Sequence, residues 1–222
     1  MRTTFGGPAS PALAAIGVAA GARLAATPEV QKIPVSGVEL FARQNFLDDA
    51  ECGFLIGLID ASSRPSSQFL YGQEAGNRTS SSGDLYRWDP GVIAIDNRIC
   101  ALLGIDPSHG ETLQGQRYEP GQQFKAHHDF FHVSQPYWPE QEKHGGQRSW
   151  TAMIYLNEPE GGGETQFPMA GIAVSPRKGM LLAWNNMGAD GAPNMDSIHA
   201  GLPVTAGVKH IVTKWFRERP WV

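Results

Sequence analysis

A succession of short β-like runs, separated by turn residues, fills the second half of the chain and limits the folds open to it. Each run alternates apolar and polar residues or is rich in β-branched and aromatic residues, and Gly, Pro and Asn stand between the runs. About eight runs can be recognised, at residues 112–118, 123–131, 149–157, 164–167, 172–175, 179–185, 197–202 and 208–216. Many short strands with frequent turns predict two packed sheets, a double-stranded β-helix or jelly roll.

Two helices and a strand are predicted before these runs. Asp48 is followed three residues later by Glu51, the spacing of a capping box, which predicts a helix to about residue 60. Asp89 and Pro90 predict a second helix start, with an end near residue 103. Residues 38–41 predict a first strand. The predicted fold class is mainly β with flanking helices (α+β), with the helices packed outside one sheet.

The length of the chain indicates one main domain. Its 222 residues can bury one good core and are few for two domains of ordinary size. We predict this domain at residues 31–222. Residues 1–30 are rich in Ala and Gly, which indicates either a loosely held extension or a short helix on the domain surface. Arg23 interrupts the apolar run at residues 8–27 and disfavours a cleaved secretory signal.

Charge and cysteine content narrow the partners and the compartment. The formal net charge of −4 offers no reason to expect nucleic-acid binding, which favours a basic surface. Cys52 and Cys100 lie in apolar, helix-like surroundings and are expected to be small buried residues, not a disulfide. This pattern favours a reducing compartment, and we expect a cytoplasmic protein. No run reaches the ~20 apolar residues of a membrane span, so no membrane partner is expected.

The most distinctive polar residues are a His-x-Asp pair and a later histidine. Side chains alternate along a strand, so His127 and Asp129 are predicted to share one face of the run at 123–131. His199 lies in another strand-like run and is the best candidate for a third ligand. Two imidazoles and one carboxylate leave about three positions of a metal ion open, the arrangement found in ferrous oxygenases. The three residues therefore predict a catalytic iron site.

An inward lysine predicts an anion beside this site. Alternation in the run at 208–216 places Lys209, Ile211, Thr213 and Trp215 on one face, most simply the inner one. A buried lysine without a partner is costly, so an anionic ligand is expected. A 2-oxo acid that chelates the iron with one end and presents a carboxylate at the other would meet this need.

Four stretches of the chain resemble a known family. They are RYEPGQQFKAHHD at 117–129, GGQR at 145–148, GGETQFP at 162–168 and the region 199–215. Together they are similar to the prolyl 4-hydroxylase branch of the iron- and 2-oxoglutarate-dependent dioxygenases, over roughly residues 35–219. This resemblance implies that His127, Asp129 and His199 bind the iron. It also implies that Lys209 pairs with the distal carboxylate of 2-oxoglutarate and that the Tyr118 hydroxyl helps to hold it.

The resemblance also implies residues farther from the metal. Thr165 matches a threonine that lines the 2-oxoglutarate pocket, while Arg148 and Trp215 match positions that contact a peptide. Arg78 matches the arginine of a mobile substrate loop. It lies in the polar segment 61–88, which we predict to be a loop, either a lid over the site or an ordinary solvated loop. Phe124 is a departure, because collagen-type relatives often carry a tyrosine there.

The implied reaction is hydroxylation of an unactivated C–H bond, with O2 as oxidant and release of succinate and CO2. By resemblance the target is a prolyl residue in a peptide or protein, and ascorbate is a further expected cofactor. Two alternatives stay open from the residues. One is a hydroxylase of a free amino acid or other small molecule, which the absence of a hydroxyl at Phe124 favours. The other is a non-catalytic, cupin-like metal-binding module.

Overall fold

A computed structural model of the chain describes residues 7–65 and 78–221. The helices are α1 (Pro11–Ala26), α2 (Asp49–Ser62), α3 (Pro90–Leu103) and α4 (Trp138–Lys143). The first strands are β1 (Val30–Lys32), β2 (Leu40–Arg43), β3 (Arg64–Pro65), β4 (Ser81–Asp84), β5 (Gln114–Tyr118), β6 (Phe124–His127) and β7 (Arg148–Tyr155). The remaining strands are β8 (Gly161–Gly162), β9 (Thr165–Phe167), β10 (Ile172–Val174), β11 (Leu181–Asn185), β12 (His199–Gly201), β13 (Val204–Ala206) and β14 (Lys209–Arg217).

The strands form two main antiparallel sheets, as the sequence predicts for a jelly roll. The major sheet has eight strands in the order β1-β2-β11-β7-β14-β5-β4-β3, and the minor sheet has four in the order β10-β9-β12-β6. A short pair, β13 and β8, lies beside them. Sequence neighbours are mostly not sheet neighbours, which is typical of this fold. The predicted mainly β class with flanking helices is confirmed.

The major sheet separates two apolar clusters, and the alternation of side chains along β11 shows how. Leu181 and Ala183 belong to a cluster shared with α1, α2 and α3, whereas Leu182 and Trp184 belong to a cluster shared with the minor sheet. The helices therefore cover the outer face of the major sheet. The inner cluster lies between the sheets and surrounds the site described below.

The two predicted helix starts are confirmed by their caps. The Asp48 carboxylate accepts from the Glu51 backbone N–H at 2.8 Å, and the Glu51 carboxylate accepts from the Asp48 N–H at 3.0 Å. These two bonds satisfy backbone donors that the first turn of α2 leaves unpaired. α3 begins behind the Asp89 cap and ends at Gly104, whose φ of 70° suits glycine.

The N-terminal segment contains a helix that packs on the domain. Of the two alternatives, the described residues take the helical one: Ser10 caps α1, and Leu13, Ala20 and Leu24 are buried. Ala20 and Leu24 join the outer apolar cluster. The boundary at residue 30 stays a prediction. Among the described helices, none is both long and apolar enough to cross a membrane.

The prediction that residues 61–88 form only a loop is wrong for part of the segment. β3 and β4 pair with each other, and β4 continues the major sheet by pairing with β5. The strand Ser81–Asp84 has no apolar side chain, and it is held between β5 and the two-residue edge strand β3 by backbone hydrogen bonds. Residues 66–77, where a lid would lie, are outside the described part of the chain.

Candidate metal centre and 2-oxoglutarate pocket

The three predicted metal ligands lie together between the two sheets. β6 and β12 are antiparallel neighbours in the minor sheet, with His127 directly opposite His199. One nitrogen or oxygen of each of His127, Asp129 and His199 lies within 4.8 Å of the others. The Asp129 oxygens stand 3.8 Å from His127 Nε2 and 3.7 Å from His199 Nε2. The His-Asp-His cluster inferred from the sequence is therefore present.

Backbone carbonyls orient both imidazoles. His127 Nδ1 is 2.8 Å from the Lys125 carbonyl oxygen, and His199 Nδ1 is 3.0 Å from the Ser197 carbonyl oxygen. A carbonyl only accepts, so each Nδ1 must carry the proton and each Nε2 presents a lone pair to the cluster. This is the tautomer that a metal ion requires.

The electrostatics of the cluster also suit a divalent cation. Burial, reinforced by His199, lowers the pKa of His127 to about 3, so its imidazole is neutral at pH 7. Burial alone would raise the pKa of Asp129, but the facing imidazoles, Arg148 and the Thr151 hydroxyl outweigh it and hold that pKa below its ordinary value. Two imidazole nitrogens and one carboxylate thus converge, and this donor set fits Fe(II).

The position of Asp129 differs from the prediction. β6 ends at His127, and Asp129 lies in the bend that follows, so the two ligands do not share one strand. The Asp129 side chain is instead held by a 2.7 Å hydrogen bond from Thr151, which lies on β7 of the opposite sheet. Strand alternation predicted the right residue for a reason that the structure does not support.

A pocket beside the cluster contains the predicted lysine. Lys209, Tyr118 and Thr165 line it with the three candidate ligands. The inward face predicted for β14 is confirmed, because Ile211, Thr213 and Trp215 line the same pocket. Lys209 is 2% exposed.

The Lys209 ammonium has aromatic neighbours in place of a counter-ion. Its Nζ lies 5.3 Å from the centre of the Tyr118 ring and 5.4 Å from that of Tyr155. Within the described residues it makes no ion pair, and Glu164 acts on it only at longer range. Burial lowers the pKa of Lys209 to about 7, against Glu164, which raises it. A cation this poorly compensated fits a pocket whose anionic ligand would complete it.

Two hydroxyl groups at the pocket are part of local hydrogen bonds. The Tyr118 hydroxyl donates to Gln116 Oε1 at 2.7 Å, and Thr165 Oγ1 accepts from the Tyr155 hydroxyl at 2.6 Å. Burial raises the pKa of Tyr118, against a lowering by Arg78, so its phenol stays protonated. Sequence reasoning missed Tyr155. The alternation of side chains along β7 was the available signal. It places Met153 and Tyr155 on the same inward face, and both residues join the inner cluster.

The candidate peptide-contacting residues Arg148 and Trp215 lie against each other, and Trp215 lines the pocket. The Arg148 guanidinium stacks 4.1 Å from the Trp215 ring centre and donates to the Glu111 carboxylate at 2.6 and 2.7 Å. Arg217 Nε forms an ion pair with the same carboxylate at 2.6 Å. Sequence reasoning missed Glu111, which lies outside any strand. The substrate role of Arg148 and Trp215 stays a prediction.

Arg78 lies over the ring of Phe124, a residue that lines the pocket. Its guanidinium donates to Ser80 Oγ at 3.0 Å and Gln114 Oε1 at 3.1 Å, and lies 5.0 Å from the Phe124 ring centre. Phe124 in turn stacks on His127 at 3.6 Å between ring centres. Phe124 therefore packs against a candidate metal ligand where a tyrosine could offer a hydroxyl. The substrate role of Arg78 also stays a prediction.

Sequence and structure comparisons agree on the relatives of this chain. Residues 113–217 match the model of the 2OG-Fe(II) oxygenase superfamily. Prolyl 4-hydroxylase 1 of Arabidopsis thaliana is 35% identical over 195 residues, which cover 79% of this chain and 67% of the plant protein. The human prolyl 4-hydroxylase subunit alpha-3 is 36% identical over 132 residues, covering 59% of this chain and 24% of that subunit.

Solved structures show the same relationship. The viral collagen prolyl hydroxylase of Paramecium bursaria Chlorella virus-1, in its 2OG complex, superposes with a TM-score of 0.63 at 28% identity, covering 80% of this chain and 95% of that one. A Pseudomonas putida prolyl-4-hydroxylase shares the fold, with a TM-score of 0.56 at 20% identity and coverage of 93% and 99%. This chain spans about two thirds of the length of the plant relatives. It belongs to the 2OG-Fe(II) oxygenase superfamily, in the prolyl 4-hydroxylase branch, and the family implies Fe(II), 2-oxoglutarate and O2 as its cofactor and cosubstrates.

Proposed function

We propose that this chain is an Fe(II)- and 2-oxoglutarate-dependent dioxygenase that hydroxylates a prolyl residue in a peptide or protein, releasing succinate and CO2. The observation that carries the proposal is the pairing of two sites. A cluster of His127, Asp129 and His199 lies beside a buried Lys209 with no anionic partner among the described residues. A dicarboxylate that chelates the metal ion at one end and pairs with Lys209 at the other would use both sites. A module that only binds a metal ion would not need the buried lysine.

Each residue of the site has a defined task in this proposal. The Nδ1–H groups of His127 and His199 donate to backbone carbonyls, which leaves their Nε2 lone pairs and the Asp129 carboxylate to hold the iron. Lys209 neutralises the distal carboxylate of 2-oxoglutarate, and Tyr118 and Thr165 bring hydroxyl groups to the same pocket. When bound, iron supplies the activation of O2 that couples decarboxylation of 2-oxoglutarate to C–H oxidation.

The candidate peptide-contacting residues are proposed to place the prolyl ring. Trp215 is 8% exposed and lines the pocket, and the Arg148 guanidinium lies over its ring, so the pair presents an aromatic and cationic wall. Arg78 lies over the ring of Phe124, which also lines the pocket. A wall of this kind suits a peptide backbone and a proline ring, because rings stack on aromatic faces while guanidinium groups donate to carbonyls. The named plant relatives act as prolyl 4-hydroxylases, which supports this substrate class.

The test is a turnover assay that separates this proposal from its alternatives. The purified protein receives Fe(II), 2-oxoglutarate, ascorbate and O2 with proline-containing peptides, the same peptides with Pro→Ala changes, or free L-proline. We expect succinate and a peptide that has gained one oxygen atom, only where proline is present in the chain. Turnover with free proline alone would favour a small-molecule hydroxylase, and the absence of succinate in every arm would contradict an enzyme. A parallel series without ascorbate tests whether this proposed cofactor is required.

A further inference from the structure

Two uncharged side chains form a hydrogen-bonded chain that begins at Asp129. Thr151 Oγ1 lies 2.7 Å from Asp129 Oδ2, and Asn186 Nδ2 lies 2.9 Å from Thr151 Oγ1. Thr151 and Asn186 are both 0% exposed. Thr151 lies on β7 at the centre of the major sheet, whereas Asp129 follows β6 of the minor sheet. The chain of bonds therefore crosses the gap between the sheets.

The direction of these hydrogen bonds is fixed by their chemistry. An ionised carboxylate only accepts, so the single hydroxyl proton of Thr151 must be donated to Asp129. Thr151 Oγ1 can then only accept, and its partner on Asn186 must be the amide N–H. Asn186 Oδ1 is one of the buried polar atoms without a hydrogen-bond partner in the described residues. If the Asn186 amide were flipped, its Oδ1 would face Thr151 Oγ1 and would compete with Asp129 for the hydroxyl proton.

Asn186 is itself held in place by the backbone. Its N–H donates to the Ser149 carbonyl at 2.9 Å, and its carbonyl accepts from the Asn194 N–H at 2.9 Å. Asp129, in contrast, lies in a bend beyond the end of β6 and has no strand partner to set its orientation. The rigid end of the chain of bonds is thus the major sheet, and the end that needs orienting is the carboxylate.

We infer that Thr151 and Asn186 are positioning residues that orient the Asp129 carboxylate for metal binding. With Oδ2 held by the hydroxyl, the carboxylate stands with its two oxygens 3.7 and 3.8 Å from the imidazole Nε2 atoms. Neither residue lies among the three candidate ligands, so their effect on iron passes through Asp129. The inference rests on the proposed function, in which Asp129 is a ligand. Residues that hydrogen-bond to metal ligands commonly change metal affinity by ~10–100-fold when removed.

Paired substitutions of Thr151 test the hydroxyl. Thr151→Val keeps the shape and removes the donor, whereas Thr151→Ser keeps the donor and removes a methyl group. We expect Thr151→Val to weaken anaerobic Fe(II) binding by ~10-fold or more and Thr151→Ser to remain within about threefold of the wild type. Equal losses in the two variants would overturn the inference, because they would mean that packing, and not the hydroxyl, matters.

A double-mutant cycle with Asn186→Ala tests the chain of bonds. In the wild-type background this change should lower Fe(II) affinity several-fold, because the Thr151 hydroxyl loses the donor that fixes it. In the Thr151→Val background it should have no further effect on iron, since the path to Asp129 is already broken. Equal, additive effects in both backgrounds would contradict the inference. If Thr151→Val does not fold, Asn186→Ala is introduced into the wild type and into Thr151→Ser instead. Because both of these proteins keep the hydroxyl, Asn186→Ala must lower the Fe(II) affinity by the same factor in each.

Titration of the wild-type protein with Fe(II) alone separates the two levels of the argument. A wild-type protein that binds no iron would refute the proposed function at its metal site. A wild-type protein that binds iron, with Thr151→Val binding it equally well, would refute only the role of the chain of bonds. Thermal unfolding of each iron-free variant shows that it is folded.

Discussion

Replacing Lys209 with Met should stabilise the iron-free protein and strongly lower its affinity for 2-oxoglutarate. Met keeps most of the length of the lysine side chain and removes its charge. The side chain is 2% exposed, and burial lowers its pKa from 10.5 to about 7. At 1.36 kcal/mol for each pH unit, that difference corresponds to a cost of about 5 kcal/mol for burying the ammonium. We expect the variant to recover a large part of this cost.

The pH dependence of the gain follows from the direction of the pKa change. Below about pH 7 the lysine is protonated in both the folded and unfolded states, and the full cost is present. Between about pH 7 and 10.5 only the unfolded state holds the proton, so the cost falls as pH rises. The stability difference between Lys209→Met and the wild type should therefore be largest at or below neutral pH and vanish near pH 10.5.

The effect on 2-oxoglutarate has the opposite sign. Removing one partner of a buried charge pair costs ~2–5 kcal/mol, which corresponds to a loss of affinity of about 30-fold or more. Wild-type affinity should also weaken by up to about tenfold for each pH unit above 7, because the carboxylate needs the protonated lysine. Urea unfolding gives the stability and calorimetric titration with 2-oxoglutarate gives the affinity, both at several pH values.

Lys214 provides a matched control on the same strand. It is 3% exposed. Because side chains alternate along β14, Lys214 lies on the outer face, opposite to that of Lys209, and pairs with Asp96 at 2.6 Å. Lys214→Met should destabilise the protein, because it leaves Asp96 without its cation, and should leave 2-oxoglutarate affinity unchanged. A destabilised Lys209→Met, or one that binds 2-oxoglutarate as tightly as the wild type, would refute the reasoning.

Three further substitutions probe other parts of the molecule. His199→Ala should abolish the retention of Fe(II), measured by a colorimetric iron assay on the desalted protein, because only two ligands remain; full retention would argue against this histidine as a ligand. Glu111→Gln should lower the free energy of unfolding in urea by ~3 kcal/mol or more, because Arg148 and Arg217 lose their shared carboxylate; a change below about 1 kcal/mol would contradict this ion-pair network. Asp48→Ala should cost about 1 kcal/mol in the same assay through loss of the α2 cap, and an unchanged midpoint would contradict a stabilising cap.

The architecture was predictable because it rests on local patterns. Each of the eight predicted runs overlaps an observed strand, and both predicted helices begin at their caps. Strands without a side-chain pattern were missed. β8 is Gly161–Gly162 and β4 is Ser81–Asp84, and neither contains an apolar residue. Their pairing is decided by backbone hydrogen bonds to neighbours that are distant in sequence, which no local window contains.

The site was predictable where chemistry alone marked its residues. A histidine, an aspartate and an inward lysine are conspicuous in strand-like runs of the sequence, because burying such side chains without a partner is costly. No such pattern in the sequence pointed to Glu111 or Asn186. Each lies outside a strand and contacts the site through a residue on β7, which is Arg148 for Glu111 and Thr151 for Asn186. Asp129 was found for a mistaken reason, because its orientation comes from Thr151 and not from strand alternation.

The inward positions of β7 and β14 show why sequence rules fail where function lies. An apolar residue at Thr151 or Lys209 would suit the space between two sheets better, as Met153 and Ile211 do on the same faces. The chain instead buries a hydroxyl that serves Asp129 and an ammonium that has no described counter-ion. The hydroxyl is already compensated by its hydrogen bonds, whereas the ammonium costs stability until a dicarboxylate binds, so ligand binding should stabilise this fold most strongly along the inner face of the major sheet.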